Sequence, residues 1–359
     1  MAEELRHAYS PQFIDTLSQL VTKELPSFDS ASFRSSVFQS DWEHLTLKER
    51  MRRVTASLYA ALPKEYEKAL SILYNVAPKV SQGLPGLVFP DFVQVYGLAH
   101  WEKSMKALAF FTKLSSAEFA VRPFLLEDNE RMMKQMIEWS KSDNEHVRRL
   151  ASEGSRSRLP WGLTVPSLKA NPRQTFAILN HLKQDESLYV RKSVANHLND
   201  ISYLDADFVL DIAYDWYGDN PQTNWIVKHA CRSLLKKGNE RALALFGYGD
   251  PTGITIDHIN IDKSELAIGD NLLVSFTVHS SHPGPVRIEY AIDFVKATGS
   301  RSAKSFILKQ FEMKENETRA FQKRHSFKDL TTRKHYRGLH TLSLKVNGVT
   351  ISSHDFLLT

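Results

Sequence analysis

Helices followed by strands are what this 359-residue sequence predicts: an α-solenoid of paired helices, then a β-sandwich. Three observations carry that fold class. A valine followed by a basic residue recurs near the start of short helical segments, at Val121, Val147, Val190 and Val227. The last three are each preceded by a second amphipathic segment (RMMKQMIEWS, QTFAILNHL and DFVLDIAYDWY), and helix pairs recurring about every forty residues fit HEAT-like repeats. At GYGDPTG, residues 247–253, the helical period gives way to short alternating apolar runs.

In chain order, PQFIDTLSQLVTKEL, WEHLTLKERMRRVTASLYAAL and EYEKALSILYNVA show apolar residues at helical spacing, with Pro26 and Pro63 as breaks. QGLPGLVFPDF, with two glycines and two prolines, reads as a turn-rich link. The repeats occupy the region from 91 to 250, and the widest gap between their valines holds SRSRLPWGLTVPSLKANP, a loop of the kind that tends to be functional. Beyond it GITIDHINI, NLLVSFTV, VRIEYAIDFV, KSFILKQFEM and HTLSLKVNG read as strands of an immunoglobulin-like sandwich, with Tyr336 as a tyrosine-corner candidate. The expected domains are residues 1–248, helical, and 253–359, β.

Composition narrows the class. With 42% hydrophobic and 24% charged residues the chain is that of a globular protein, and no apolar run reaches the length of a membrane span. MAEELRHAYSPQF lacks a signal-peptide core, and the single cysteine, Cys231, excludes an internal disulfide, so a cytoplasmic setting is expected. The net charge is +5, and residues 251–359 hold 15 Lys and Arg against 11 Asp and Glu, a bias that permits a nucleic-acid partner. No phosphate-cradling glycine motif, nucleophile elbow or Cys/His spacing is present, so neither a cofactor nor a metal is expected.

The stretch Asp143–Trp161, DNEHVRRLASEGSRSRLPW, is the candidate site. As a helix it places Val147, Leu150, Ala151 and Gly154 on one side and Arg149, Glu153 and Arg156 nearly opposite. Gly154 is positioned to end the helix, leaving Arg156 in the loop that leads to Trp161. Each group also has an ordinary explanation. Ser115-x-x-Glu118 has the spacing of a capping box, Arg149 and Glu153 that of a surface ion pair, and Asp200 lies where a turn is expected.

VRRLASEGSRSRLPW, then YVRKSVANHLNDIS, then a β-sandwich tail, together with the amino-terminal FDSASFRSSVFQSDWEHLTLKERMRRVTASL, resemble the AlkC branch of the AlkC/AlkD alkylpurine DNA glycosylases, in the form carrying an immunoglobulin-like domain. The likeness covers the whole helical part. In that family Pro often stands where this chain has Ser157, a departure that removes no chemical group. The resemblance implies a bacterial enzyme acting on the nucleoid, which removes cationic alkylated purines, 3-methyladenine foremost, from double-stranded DNA without drawing the base into a pocket. It also implies Glu118, Glu153, Asp200 and Trp161 as the active-site residues, with Arg149 and Arg156 beside the DNA backbone.

The chemistry suits those residue types. A cationic purine leaves without a proton from an acid, so what needs stabilising is the oxocarbenium-like sugar, and carboxylates do this electrostatically while orienting water. Trp161 is expected to face the sugar. Arg148, Arg158, Arg191 and Lys192 are expected to extend the phosphate footprint, and so are Lys323, Arg324, Arg333 and Lys334 in a basic segment of the tail. The expected reaction is monofunctional, by a monomer. A non-catalytic DNA-binding or protein-interaction scaffold is the alternative.

Overall fold

The computed structural model describes residues 5–80, 83–218, 220–330 and 333–359. Helices fill the chain up to Leu245 and strands follow from Ile254, the predicted order. Two compact units result: Met1–Val209 with Trp216–Ala230, and Leu210–Asp215 with Cys231–Thr359. The short helices Arg232–Lys237 and Glu240–Leu245 thus group with the strands.

In the first unit the repeat valines are the packing points. Val121, Val147, Val190 and Val227 are each at most 3% exposed. The helices bearing the last three stack in sequence: Glu145–Gly154 lies against Leu188–Ile201, and Leu188–Ile201 against Pro221–Ala230. Asn129–Trp139, the first helix of its pair, backs Glu145–Gly154. The link differs from its reading, because Val88–Tyr96 is a helix with Val88, Phe89, Phe92 and Val93 buried. Pro90 sits in its first turn, where the missing N–H has no acceptor to lose.

The second unit contains two sheets. One has the order β1 (Ile254–Ile261), β3 (Asn271–Ser280), β6 (Glu317–Ser326). The other runs β2 (Glu265–Leu266), β8 (Val349–Leu358), β7 (Gly338–Val346), β4 (Gly284–Val295), β5 (Arg301–Met313). Period-two alternation buries Val274, Phe276 and Val278 of β3, with Ile288, Tyr290 and Ile292 of β4 and Leu342 and Leu344 of β7, in one core. Tyr336 makes no tyrosine corner. It is 36% exposed, its hydroxyl has no partner among the described residues, and its carbonyl accepts from His340 Nε2 at 3.0 Å.

Candidate active site

Asn144 caps the central helix by accepting from the His146 N–H, and Val147, Leu150 and Ala151 bury one face. The helix ends at Gly154, as its sequence suggests. A Cβ there would lie 2.6 Å from Val121 Cγ2, so only glycine allows this close approach. The chain then turns into the inserted loop. There Arg122, 1% exposed, donates to the carbonyls of Gly154 (3.0 Å), Arg156 (2.7 Å) and Leu163 (2.8 Å). Burial, with the Arg156 charge nearby, pushes the Arg122 guanidinium down to about 10.

This scaffold brings Glu118, Arg149, Glu153, Arg156 and Asp200 into one alternating chain of charge. Arg149 Nη1 lies 2.6 Å from Glu118 Oε2, and Arg149 Nη2 lies 3.6 Å from Glu153 Oε1. Arg156 spans the other two carboxylates, with Nη1 2.5 Å from Glu153 Oε1 and Nε 2.8 Å from Asp200 Oδ2. Glu153, Arg156 and Asp200 are all buried, so none is the exposed i,i+4 pair or turn residue of the ordinary reading. The capping box does not form either: the helix starts at Arg122, and Ser116 donates to Glu118 Oε2 at 2.7 Å.

Burial raises the Asp200 carboxyl above its usual range, against the opposite pull of Arg156 and Arg158. Burial also works against the charges of Arg149 and Arg156, but their carboxylate partners outweigh it and hold both guanidiniums above their ordinary range. Ionised throughout, the five side chains carry one net negative charge.

Glu118, Glu153, Arg156 and Trp161 line a cleft of about 550 Å³ with Met51, Phe119, His146 and Tyr189. Trp161 is 61% exposed and adopts φ 63°, a left-handed backbone that a bulky residue rarely takes. Lys48 fixes that backbone by donating to the Trp161 carbonyl, while its ammonium lies 4.4 Å from the Phe119 ring centroid. Arg149 stacks over Tyr189 at 4.8 Å.

The remaining cations divide by role. Arg148 is bidentate on Asp185 and also donates to the Ser142 and Asp143 carbonyls, and Arg191 donates to the Asp185 and Glu186 carbonyls. Both fasten the turns between helices. Arg158 is exposed, 4.2 Å over Tyr203, and Lys192 is exposed as well. In the β unit Lys323 and Arg324 lie on β6, at an edge of the three-stranded sheet, with Arg333 5.6 Å over Phe294 and Lys334 exposed.

Sequence reasoning missed Ser193, Tyr189, Lys48 and Arg122. The rings had a readable signal. Phe119, His146 and Tyr189 each stand one or two residues before a repeat valine, and all three line the cleft. Nothing in the sequence paired Ser193 with Glu153.

Residues 112–234 match the family described as DNA alkylation repair enzyme, and residues 255–359 match the C-terminal Ig-like domain of the uncharacterised protein YhaZ. The uncharacterized protein YhaZ of Bacillus subtilis (strain 168) is 52% identical over 353 residues, covering 98% of this chain and 99% of that one. Among solved structures, Pseudomonas fluorescens alkylpurine DNA glycosylase AlkC, bound to DNA containing an abasic site analog, is similar with a TM-score of 0.95 and 41% identity over 99% of each chain.

Proposed function

The chain belongs to the AlkC family of alkylpurine DNA glycosylases, and from that premise we propose that it hydrolyses the N-glycosidic bond of cationic alkylated purines, 3-methyladenine foremost, in duplex DNA. An abasic site remains. The observation that carries this reading is the run Glu118–Arg149–Glu153–Arg156–Asp200, half-buried at Glu118 and Arg149 and buried from Glu153 on, whose net negative charge favours a cation at the cleft.

In the reaction the bond from the sugar C1′ to the purine nitrogen breaks, and its electron pair neutralises the cationic base. The positive charge passes to the sugar, which water attacks before giving up a proton. Glu153 is the fixed charge, since Oε1 is held by Arg156 and Oε2 by Ser193. Asp200 orients the water: among the described residues its Oδ1 accepts no hydrogen bond, and its raised pKa makes it the better base. Glu118 is a supporting third carboxylate. The exposed Trp161 ring covers the sugar and offers its π-electrons to the developing cation.

The base stays stacked, which avoids an unstacking cost of a few kcal/mol, and selectivity rests on the lability of cationic lesions. Arg149 and Arg156 act chiefly by holding the carboxylates, and Arg148 and Arg191 by holding the helix turns. Arg158 and Lys192, with Lys323, Arg324, Arg333 and Lys334, are the candidates for phosphate contact. The domains act as residues 1–248 and 253–359, in a cytoplasmic monomer working on the nucleoid.

Chromatography of bases released from methylated duplex DNA tests the reading. Release of 3-methyladenine is expected, with no covalent adduct trapped by borohydride and no fluorescence rise from 2-aminopurine placed at the lesion on binding. No release by folded protein that still binds DNA would leave a non-catalytic scaffold as the better account. A trapped adduct would contradict the monofunctional mechanism, and a fluorescence rise the stacked base.

A further inference from the structure

The inserted loop borders a smaller, open cavity of about 230 Å³, whose polar lining is Arg122, Ser157, Arg158, Thr164 and Lys169, with no Asp or Glu in its wall. At ~30 Å³ per water it has room for a phosphate group and several waters. Lys169 and Arg158 are exposed and make no ion pair among the described residues, unlike Arg148, Arg149 and Arg156. Arg122 commits Nε and Nη1 to carbonyls, and its Nη2 has no hydrogen-bond partner among the described residues. The Ser157 hydroxyl is buried without a hydrogen-bond partner, although Ser157 is only 3% exposed. An orphaned buried hydroxyl normally costs stability, which is offset when a ligand satisfies it.

We propose that this cavity is a phosphate-oxyanion site, taking a backbone phosphate of the DNA strand. Three cations and a hydroxyl donor, with no acid in the wall and Asp200 acting on Arg158 from outside it, match the charge and the acceptor geometry of such a group. The site departs from the resemblance at Ser157, because the proline common there has no hydroxyl to donate. The proposal rests on the glycosylase reading only for the source of the phosphate.

Binding decides it, with Lys169→Ala and Ser157→Ala as variants. Duplexes with an abasic analogue are scanned with one methylphosphonate, which is neutral, at each position near the lesion. One position is expected to weaken wild type several-fold and to have no further effect on Lys169→Ala, whose slope of log affinity against log salt falls by about 0.9. In a second arm, inorganic phosphate is compared with chloride at equal ionic strength. A phosphate-specific rise in unfolding temperature that Lys169→Ala and Ser157→Ala diminish supports the oxyanion site, and without a methylphosphonate effect it assigns free phosphate as the source. The proposal is overturned if every methylphosphonate affects wild type and Lys169→Ala alike and phosphate behaves as chloride does. Neither arm reads base release, so failure of the glycosylase reading would leave both standing.

Discussion

The hydroxyl of Ser193 donates to Oε2 of Glu153 at 2.6 Å, joining two stacked helices at positions 40 residues apart. With Arg156 on Oε1, this bond leaves the carboxylate no freedom to turn from the cleft. A charge that is already oriented needs no reorganisation when the sugar becomes cationic, and that is where its catalytic advantage lies.

Ser193→Ala is therefore expected to slow base release about tenfold, equivalent to ~1.4 kcal/mol of transition-state stabilisation. It should also cost about 1–2 kcal/mol of stability, because Oε2 is left buried and unpaired. Single-turnover kinetics and urea unfolding measure the two effects. A variant with wild-type rate would show that Arg156 alone orients Glu153.

Arg156 bridges two buried carboxylates, so Arg156→Met leaves Asp200 without its ion-pair partner and Glu153 with only the longer contact to Arg149. Breaking a buried pair in this way costs about 3–5 kcal/mol. Adding Glu153→Gln should restore part of that loss by removing one poorly paired charge. A double variant less stable than Arg156→Met would contradict the electrostatic origin of the loss.

Asp200 has a carboxyl raised above 3.8 by burial, opposed by Arg156 and Arg158. For stability, a raised acid favours the native state most below pH 3.8, and the contribution is lost as pH rises through the folded value. For activity the sign is opposite, since the ionised form is needed and the rate falls as pH drops through that same value. Arg158→Gln removes one charge that holds the carboxyl down, so the acid limb of the rate profile should move to higher pH. A limb that stays in place would detach Asp200 from the rate.

Gly154→Ala places a methyl 2.6 Å from Val121 Cγ2, an overpacking that should cost about 1–3 kcal/mol and shift the loop toward Trp161. Val121→Ala in the same chain should recover much of that loss. Thermal unfolding of the single and double variants measures the coupling, and strictly additive losses would refute the contact.

The sequence made the change from helices to strands at 247–253 legible, because a switch from helical to alternating period is a local signal. It also showed the Arg149–Glu153 pair, which depends only on the helical repeat. What it hid were partners distant along the chain. Arg148 and Arg191 read as free cations until the turn around Asp185 placed acceptors beside them. Ser115-x-x-Glu118 read as a cap because spacing cannot tell that the helix begins only at Arg122. Val88–Tyr96 was obscured by Pro90, which a first turn tolerates.

The most direct test is the rate of 3-methyladenine release from methylated duplex DNA by wild type, Glu153→Gln and Asp200→Asn, each checked for DNA binding. Both substitutions keep shape and remove charge. The account predicts a fall of about a hundredfold or more in k at saturating protein, or ~2.7 kcal/mol, with binding retained. Variants that bind DNA and release the base at the wild-type rate would contradict it.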